Sequence, residues 1–139
     1  MTETNGFHDK VAQDYPDYLR DESRRTGRAD TISFPKSEAD VCSHLAEARR
    51  RGEVVTVQGG RTGIAAGAVP EGGHILNLGR MNRIPGLRKT ADDNFCVTVQ
   101  PGVLLSELRK YLQDEAALQF RAVGKSYFFP PDPTETSAT

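Results

Sequence analysis

The stretch Gln58-Gly59-Gly60-Arg61-Thr62-Gly63-Ile64-Ala65-Ala66-Gly67-Ala68-Val69-Pro70 decides how the rest of the chain is read. From Gly59 to Gly67 it holds four glycines and two alanines, and only Arg61 and Ile64 carry large side chains. It follows Glu53-Val54-Val55-Thr56-Val57-Gln58, a β-branched run that predicts a strand, and at Gly59 the periodicity stops. Glycines admit φ > 0 and let another group approach the main chain closely. A run of N–H groups without ladder partners is an anion cradle, and Thr62 adds a hydroxyl donor. Two readings stand side by side: a loop that wraps a phosphate or pyrophosphate, and a flexible surface loop. The common phosphate motifs do not fit. A P-loop needs a lysine and none is present; neither Gly59 nor Gly60 has the glycine two residues later that a Rossmann turn needs.

Upstream, Ala29 to Phe34 predicts a short strand ended by Pro35, and Ser37 with Asp40 predicts a capped helix start. That helix carries Val41, Leu45 and Ala48 on one face, Arg49-Arg50-Arg51 in its last turn and Gly52 beyond its end. Residues 7–26 are polar and helix-compatible, with Pro16 as a break or a start. Downstream, His74 to Leu78 predicts a strand. Asn94 to Gln100 predicts another, with Phe95, Val97 and Val99 on one face and Pro101-Gly102 as its stop. A second helix is expected over about 106–115, burying Leu105, Leu108 and Leu112. Phe128 to Thr139 has no period. Its prolines and hydroxyls suit either the polar edge of a ligand or a disordered tail, with Phe128 and Phe129 packed beneath the loop. This order indicates an α/β or α+β unit without repeats.

Composition narrows the classes. The chain has 139 residues, 37% hydrophobic and 27% charged, which suits one soluble domain and argues against disorder, collagen and disulfide scaffolds. A net charge of −1 gives no global case for nucleic acid or an anionic membrane. No apolar run approaches membrane-spanning length, and the polar start shows no secretory signal. Cys42 and Cys96 lack metal or CxxC spacing, so reduced thiols in the cytoplasm are expected, without a metal site. Cys42 is expected to be a small buried hydrophobe. His8, His44 and His74 have no triad spacing and are expected to be surface or satisfied histidines. Arg49 to Arg51 read as a solvated helix end favoured by the dipole.

Four ordered segments carry a resemblance. Gln58 to Pro70 resembles the pyrophosphate loop of the FAD-linked oxidases and dehydrogenases that have a vanillyl-alcohol-oxidase-type (PCMH-type) flavin domain. Ile75 to Ile84, with its Arg80-Met81-Asn82, resembles that family's next strand. Val99-Gln100-Pro101-Gly102-Val103 resembles its turn before a helix, and Pro130 to Thr139 the segment beside the flavin. Within the family the likeness is to the glycolate oxidase and D-lactate dehydrogenase branch.

The resemblance implies an α+β fold, the first subdomain of such a domain, with a small mixed sheet flanked by helices. Residues 1–28 would be a lead-in and 29–139 the N-terminal part of the FAD-binding domain. Gln58, Gly59, Gly60, Arg61, Thr62, Gly63 and Gly67 would meet the pyrophosphate or ribose. Gly102 would admit close approach of the cofactor, and Pro131, Asp132, Thr134, Ser137 and Thr139 would line the flavin. Where covalent branches often place a histidine after the Gly-Gly pair, this chain has Arg61, which implies non-covalent FAD. Arg61 would reach a phosphate or point to solvent. The implied activity is oxidation of a 2-hydroxy acid such as glycolate or D-lactate, with hydride transfer to flavin N5. The family continues beyond Ser137-Ala138-Thr139 into a substrate domain holding the acid–base residues. The chain is therefore expected to be inactive alone and to contain no catalytic residue. No nucleic-acid partner and no transmembrane segment are expected; the location would be cytoplasmic, with peripheral membrane association of the parent open. The rival reading is a stand-alone nucleotide-binding or assembly half-domain.

Overall fold

The computed structural model describes residues 6–92 and 94–116. Three parallel strands form its frame: β2 (Thr31–Ser33), β3 (Val55–Gln58) and β4 (His74–Asn77), with β1 (Phe7–His8) antiparallel beside β2. The order is β1-β2-β4-β3, so β4 lies between the two strands that precede it in sequence. All of β4 is buried, as a central strand covered on both faces must be. β5 (Gly86–Lys89) and β6 (Phe95–Thr98) form a separate antiparallel pair. Helices α1 (Val11–Asp14) and α2 (Glu38–Arg51) lie on the two faces of the larger sheet. Helix α3 (Leu105–Tyr111) runs into a π-helical turn at Leu112–Ala116. The small mixed sheet with flanking helices is the one expected. No helix among the described residues is long and apolar enough to cross a membrane.

Strand alternation divides the core. Ile32 and Ile75, paired in register, face Val11 and Leu19, with Tyr15, Tyr18, Ala29 and Phe34 packed around them. A fully buried aliphatic side chain contributes about 2 kcal/mol, so this cluster fastens the N-terminal segment to the sheet. That segment is not the helix its polarity suggested. Phe7–His8 pairs as a strand, α1 is one turn long, and Pro16 opens a 3-10 turn, Pro16–Leu19. Lys10, left-handed at φ 59°, and the proline divide the run, and each piece then turns its apolar residue inward.

Helix α2 starts as the sequence predicts. Ser37 Oγ accepts the Asp40 N–H at 3.1 Å, and an Asp40 carboxylate oxygen accepts the Ser37 N–H, also at 3.1 Å. Gly52, at φ 69°, ends it. Its buried stripe is narrower than the periodicity implies: Ala48 is buried, Val41 half-buried and Leu45 exposed. Cys42 is exposed, not buried. Beneath the helix, β2 and β4 present Thr31, Ser33, His74 and Leu76. The corresponding correction in α3 is Leu105, which is 71% exposed. An apolar stripe needs a partner, and Leu105 finds little cover among the described residues, while Leu108 and Leu112 are half-buried.

His74 is the satisfied histidine expected, although fully buried. Nδ1 lies 2.7 Å from Thr31 Oγ1 and Nε2 2.8 Å from Ser33 Oγ. Thr31 also donates to Glu53 at 3.3 Å, which assigns the ring proton to Nδ1, leaving Nε2 to accept from Ser33. Phe7 stacks on the ring at 3.9 Å, and His44 and Arg51 of α2 both meet Phe7. Burial first, then the nearby His44 and Arg51, lower the His74 pKa to about 4. The unfolded chain therefore binds a proton that the folded chain refuses between about pH 6.5 and pH 4. Stability is full above this window and falls as the pH drops through it, by on the order of 3 kcal/mol. Urea unfolding at stepped pH checks this, and His74→Gln should flatten the slope; an equally steep slope in that variant would assign the effect elsewhere.

Candidate functional site

Parallel neighbours need a crossover, usually built on a helix. Between β3 and β4 the crossover is the glycine-rich loop itself, and its two ends are clamped. At the start, Gln58 is fully buried. Its Nε2 donates to the carbonyls of Tyr18 and Ala68, both at 2.7 Å, and its Oε1 accepts from Asn77 at 3.1 Å. At the return, Arg28 N–H donates to the Pro70 carbonyl at 3.0 Å, and Gly72 N–H donates to the Arg28 carbonyl at 2.8 Å. Gly73 N–H then donates to the Asp30 carboxylate at 3.0 Å. Gly27 makes this closure possible, since a Cβ there would collide with the Pro70 carbonyl.

The middle of the loop is different. From Gly60 through Gly67, no main-chain N–H donates to an acceptor among the described residues. Thr62 to Ala65 and Gly67 are exposed. Arg61 and Ala66 both take left-handed backbone, φ 57° and φ 60°, which costs a non-glycine residue about 1 kcal/mol. Space around Gly63 and Gly67 is open: a Cβ on either would meet nothing within 4 Å. The result is a row of donors without an acceptor among the described residues, on a loop held at both ends.

A cavity of about 220 Å³ lies beside it, lined by Gly59, Gly60, Asn77, Gly102, Leu104 and Glu107 among others. The glycines here serve packing. A Cβ on Gly59 would sit 2.8 Å from the Pro101 carbonyl oxygen, and one on Gly60 would sit 2.5 Å from Leu104 Cδ2. A Cβ on Gly102 would collide with the Leu78–Gly79 backbone. The loop and the turn before α3 therefore meet main chain to main chain, and this approach shapes the cavity wall. Glu107 accepts the Leu104 N–H at 2.8 Å and so fixes the start of α3 at the cavity edge. A second, larger cavity of about 530 Å³ adjoins the first at Gly60 and Arg61 and is lined by Asp17, Arg20, Asp21 and Arg24.

Arg61 is half-buried and does not simply point to solvent. Its guanidinium lies 4.4 Å over the Tyr18 ring and donates to the Asp17 carbonyl. Gln58 likewise spends its side chain inside the protein. Tyr18, Asn77, Asn82 and Glu107 line the site without having been singled out as candidates. Asn82 sits in the Arg80-Met81-Asn82 run, which was the available signal. Pro131, Asp132, Thr134, Ser137 and Thr139 lie outside the described residues, as do Phe128 and Phe129. Among the described residues no cluster of three metal-ligating side chains occurs.

These residues fit the diphosphate of FAD: N–H donors without an acceptor among the described residues, two glycines open to a close ligand, no carboxylate between Gln58 and Pro70, and at the cavity edge a Glu107 already engaged by the Leu104 N–H. The comparisons agree. The chain is 32% identical over 126 residues to the D-lactate dehydrogenase of Anaerostipes hadrus, covering 88% of this chain and 24% of that protein. Its fold is similar to that of 6-hydroxy-D-nicotine oxidase from Arthrobacter nicotinovorans, with a TM-score of 0.63 at 19% identity. That alignment covers 86% of this chain and 26% of the oxidase. Chitooligosaccharide oxidase aligns with a TM-score of 0.61 at 18% identity, over 80% of this chain and 23% of its own. The chain thus spans about a quarter of the length of these relatives. With residues 29–134 matching the FAD binding domain, the chain belongs to that family, the cofactor-binding part of FAD-linked oxidases and dehydrogenases.

Proposed function

We propose that this chain grips FAD non-covalently by its pyrophosphate, within an oxidoreductase that oxidises a 2-hydroxy acid of the D-lactate or glycolate type. The observation that carries the proposal is the row of N–H groups from Gly60 to Gly67 that meet no acceptor among the described residues, on a loop clamped at both ends. Each such donor strengthens when it meets an ionised oxygen, and preorganisation spares the loop the cost of ordering on binding. Thr62, exposed in the same row, supplies a hydroxyl. The flavin, when bound, would supply the redox chemistry by accepting hydride at N5. The 2-hydroxy acid is supported by the D-lactate dehydrogenase relative. Non-covalent attachment is supported by Arg61 and by the positions of the nucleophiles. The three histidines and two cysteines of the whole chain are His8, His44, His74, Cys42 and Cys96, and none lines the cavity beside the loop. Both cysteines are exposed and unpaired, which suits the reducing cytoplasm we propose as the location.

Titration of the purified chain with FAD, followed by flavin fluorescence, tests the grip. ADP should compete, because it carries the same diphosphate, and adenosine should not. Acid precipitation should leave the flavin in the supernatant; flavin retained in the pellet would show a covalent link. For the substrate, anaerobic addition of D-lactate or glycolate to the complete flavoprotein should bleach its flavin absorbance. Bleaching by neither acid removes the 2-hydroxy-acid assignment and leaves the FAD grip standing.

A further inference from the structure

We infer that the 3-10 turn Pro16–Leu19, upstream of the residues that match the FAD binding domain, is a brace that shapes the cofactor loop, with Arg61 and Tyr18 as positioning residues. Three successive carbonyls of this turn are taken up by residues that govern the loop. Asp17 O accepts from the Arg61 guanidinium. Tyr18 O accepts from Gln58 Nε2 at 2.7 Å. Leu19 O accepts from Gly27 N–H at 2.7 Å, and Gly27 is the residue packed on Pro70 at the loop's return. The turn is therefore tied to the strand end, to the third residue of the loop and, through Gly27, to the loop's far end. Leu19 in the buried core holds the turn itself in place.

Arg61 is the element that transmits this to the donor row. Its left-handed backbone is unfavourable for an arginine in isolation, and the Tyr18 stack and the Asp17 bond are what its side chain gains there. Releasing the side chain frees the backbone to leave φ 57°, which redirects the N–H groups that follow. Arg61 on this account acts on the cofactor through the loop, and not by touching a phosphate.

The inference rests on the FAD reading for one of its two tests and is independent of it in the other. In FAD titrations of the full chain, Arg61→Ala and Tyr18→Leu should each weaken binding about 10-fold. The double variant should be little worse than Arg61→Ala alone, because that change already removes the Tyr18 stack along with the Asp17 bond. Tyr18→Phe should restore most of what Tyr18→Leu loses. Arg61→Lys should not rescue, since an ammonium lacks the planar face and fork. A Tyr18→Leu variant that binds as tightly as the parent would overturn the brace, and so would an Arg61→Lys variant that does, since a cation alone would then suffice.

The second test needs no cofactor. Trypsin must take the Arg61 side chain into its own pocket, so the brace protects the Arg61–Thr62 bond. Tyr18→Leu should speed cleavage there about 10-fold, read by mass spectrometry, while cleavage after Arg88 in β5 keeps its rate. Unchanged cleavage at Arg61, or equal acceleration at both sites, overturns the brace. A parent chain that binds no FAD but shows the selective acceleration would refute the FAD reading and uphold the brace.

Discussion

Gln58→Leu should lower the stability of the folded chain by about 4 kcal/mol, measured by urea unfolding. Leucine keeps the approximate volume and fills the same buried site, so the loss is one of hydrogen bonds and not of packing. Three partners lose theirs together: the Tyr18 carbonyl, the Ala68 carbonyl and the Asn77 side-chain amide. A buried polar group left without a partner costs about 1–3 kcal/mol, and water cannot easily replace Gln58, which has no exposed surface. The three terms will not simply add, because the site relaxes, and about 4 kcal/mol allows for that. Gln58→Glu should be similarly harmful: it removes the two donated bonds and turns a carboxylate toward two carbonyl oxygens. A loss below about 1 kcal/mol for Gln58→Leu would mean that the Gln58 network does not hold the loop.

Gln58 also shows how much the sequence disclosed. Its position directly before Gly59-Gly60 was legible, and it stands at the end of β3 where the loop begins. Its orientation was not legible, because the partners that draw it inward are Tyr18, ten residues of loop away Ala68, and Asn77 on another strand. The same contrast runs through the chain. Signals confined to a few neighbouring residues were legible: the Ser37–Asp40 box, the Gly52 stop and the β-branched run into Gln58. Signals that depend on what lies opposite were not. Leu45 and Leu105 have helical spacing yet find little to cover them, while polar His74 is buried because Thr31, Ser33 and Phe7 meet it from β2 and β1. β5 was missed because Gly86-Leu87-Arg88-Lys89 offers one apolar residue, and its pairing with β6 supplies the rest. Gly102 could be read as room for a cofactor, yet the backbone of Leu78 and Gly79 already requires glycine there.

Gly63→Glu should weaken FAD binding by about two orders of magnitude and leave folding stability within about 0.5 kcal/mol of the parent. The position suits the test because nothing lies within 4 Å of a Cβ built on Gly63, so the new side chain displaces no protein group. What it does is set a negative charge among the N–H groups that we propose receive the diphosphate and that meet no acceptor among the described residues. One charge against two, at about 5 Å and an effective dielectric of about 40, amounts to about 3 kcal/mol, which is the expected hundredfold. The neutral Gly63→Gln variant has nearly the same size, so it separates crowding from charge and should retain most of the affinity. Salt gives a second control: repulsion at an exposed loop is screened, so the gap between the two variants should narrow as ionic strength rises. Equal losses in the glutamate and glutamine variants would show that bulk alone matters at Gly63. Parent-like binding in the glutamate variant would place the diphosphate away from this loop.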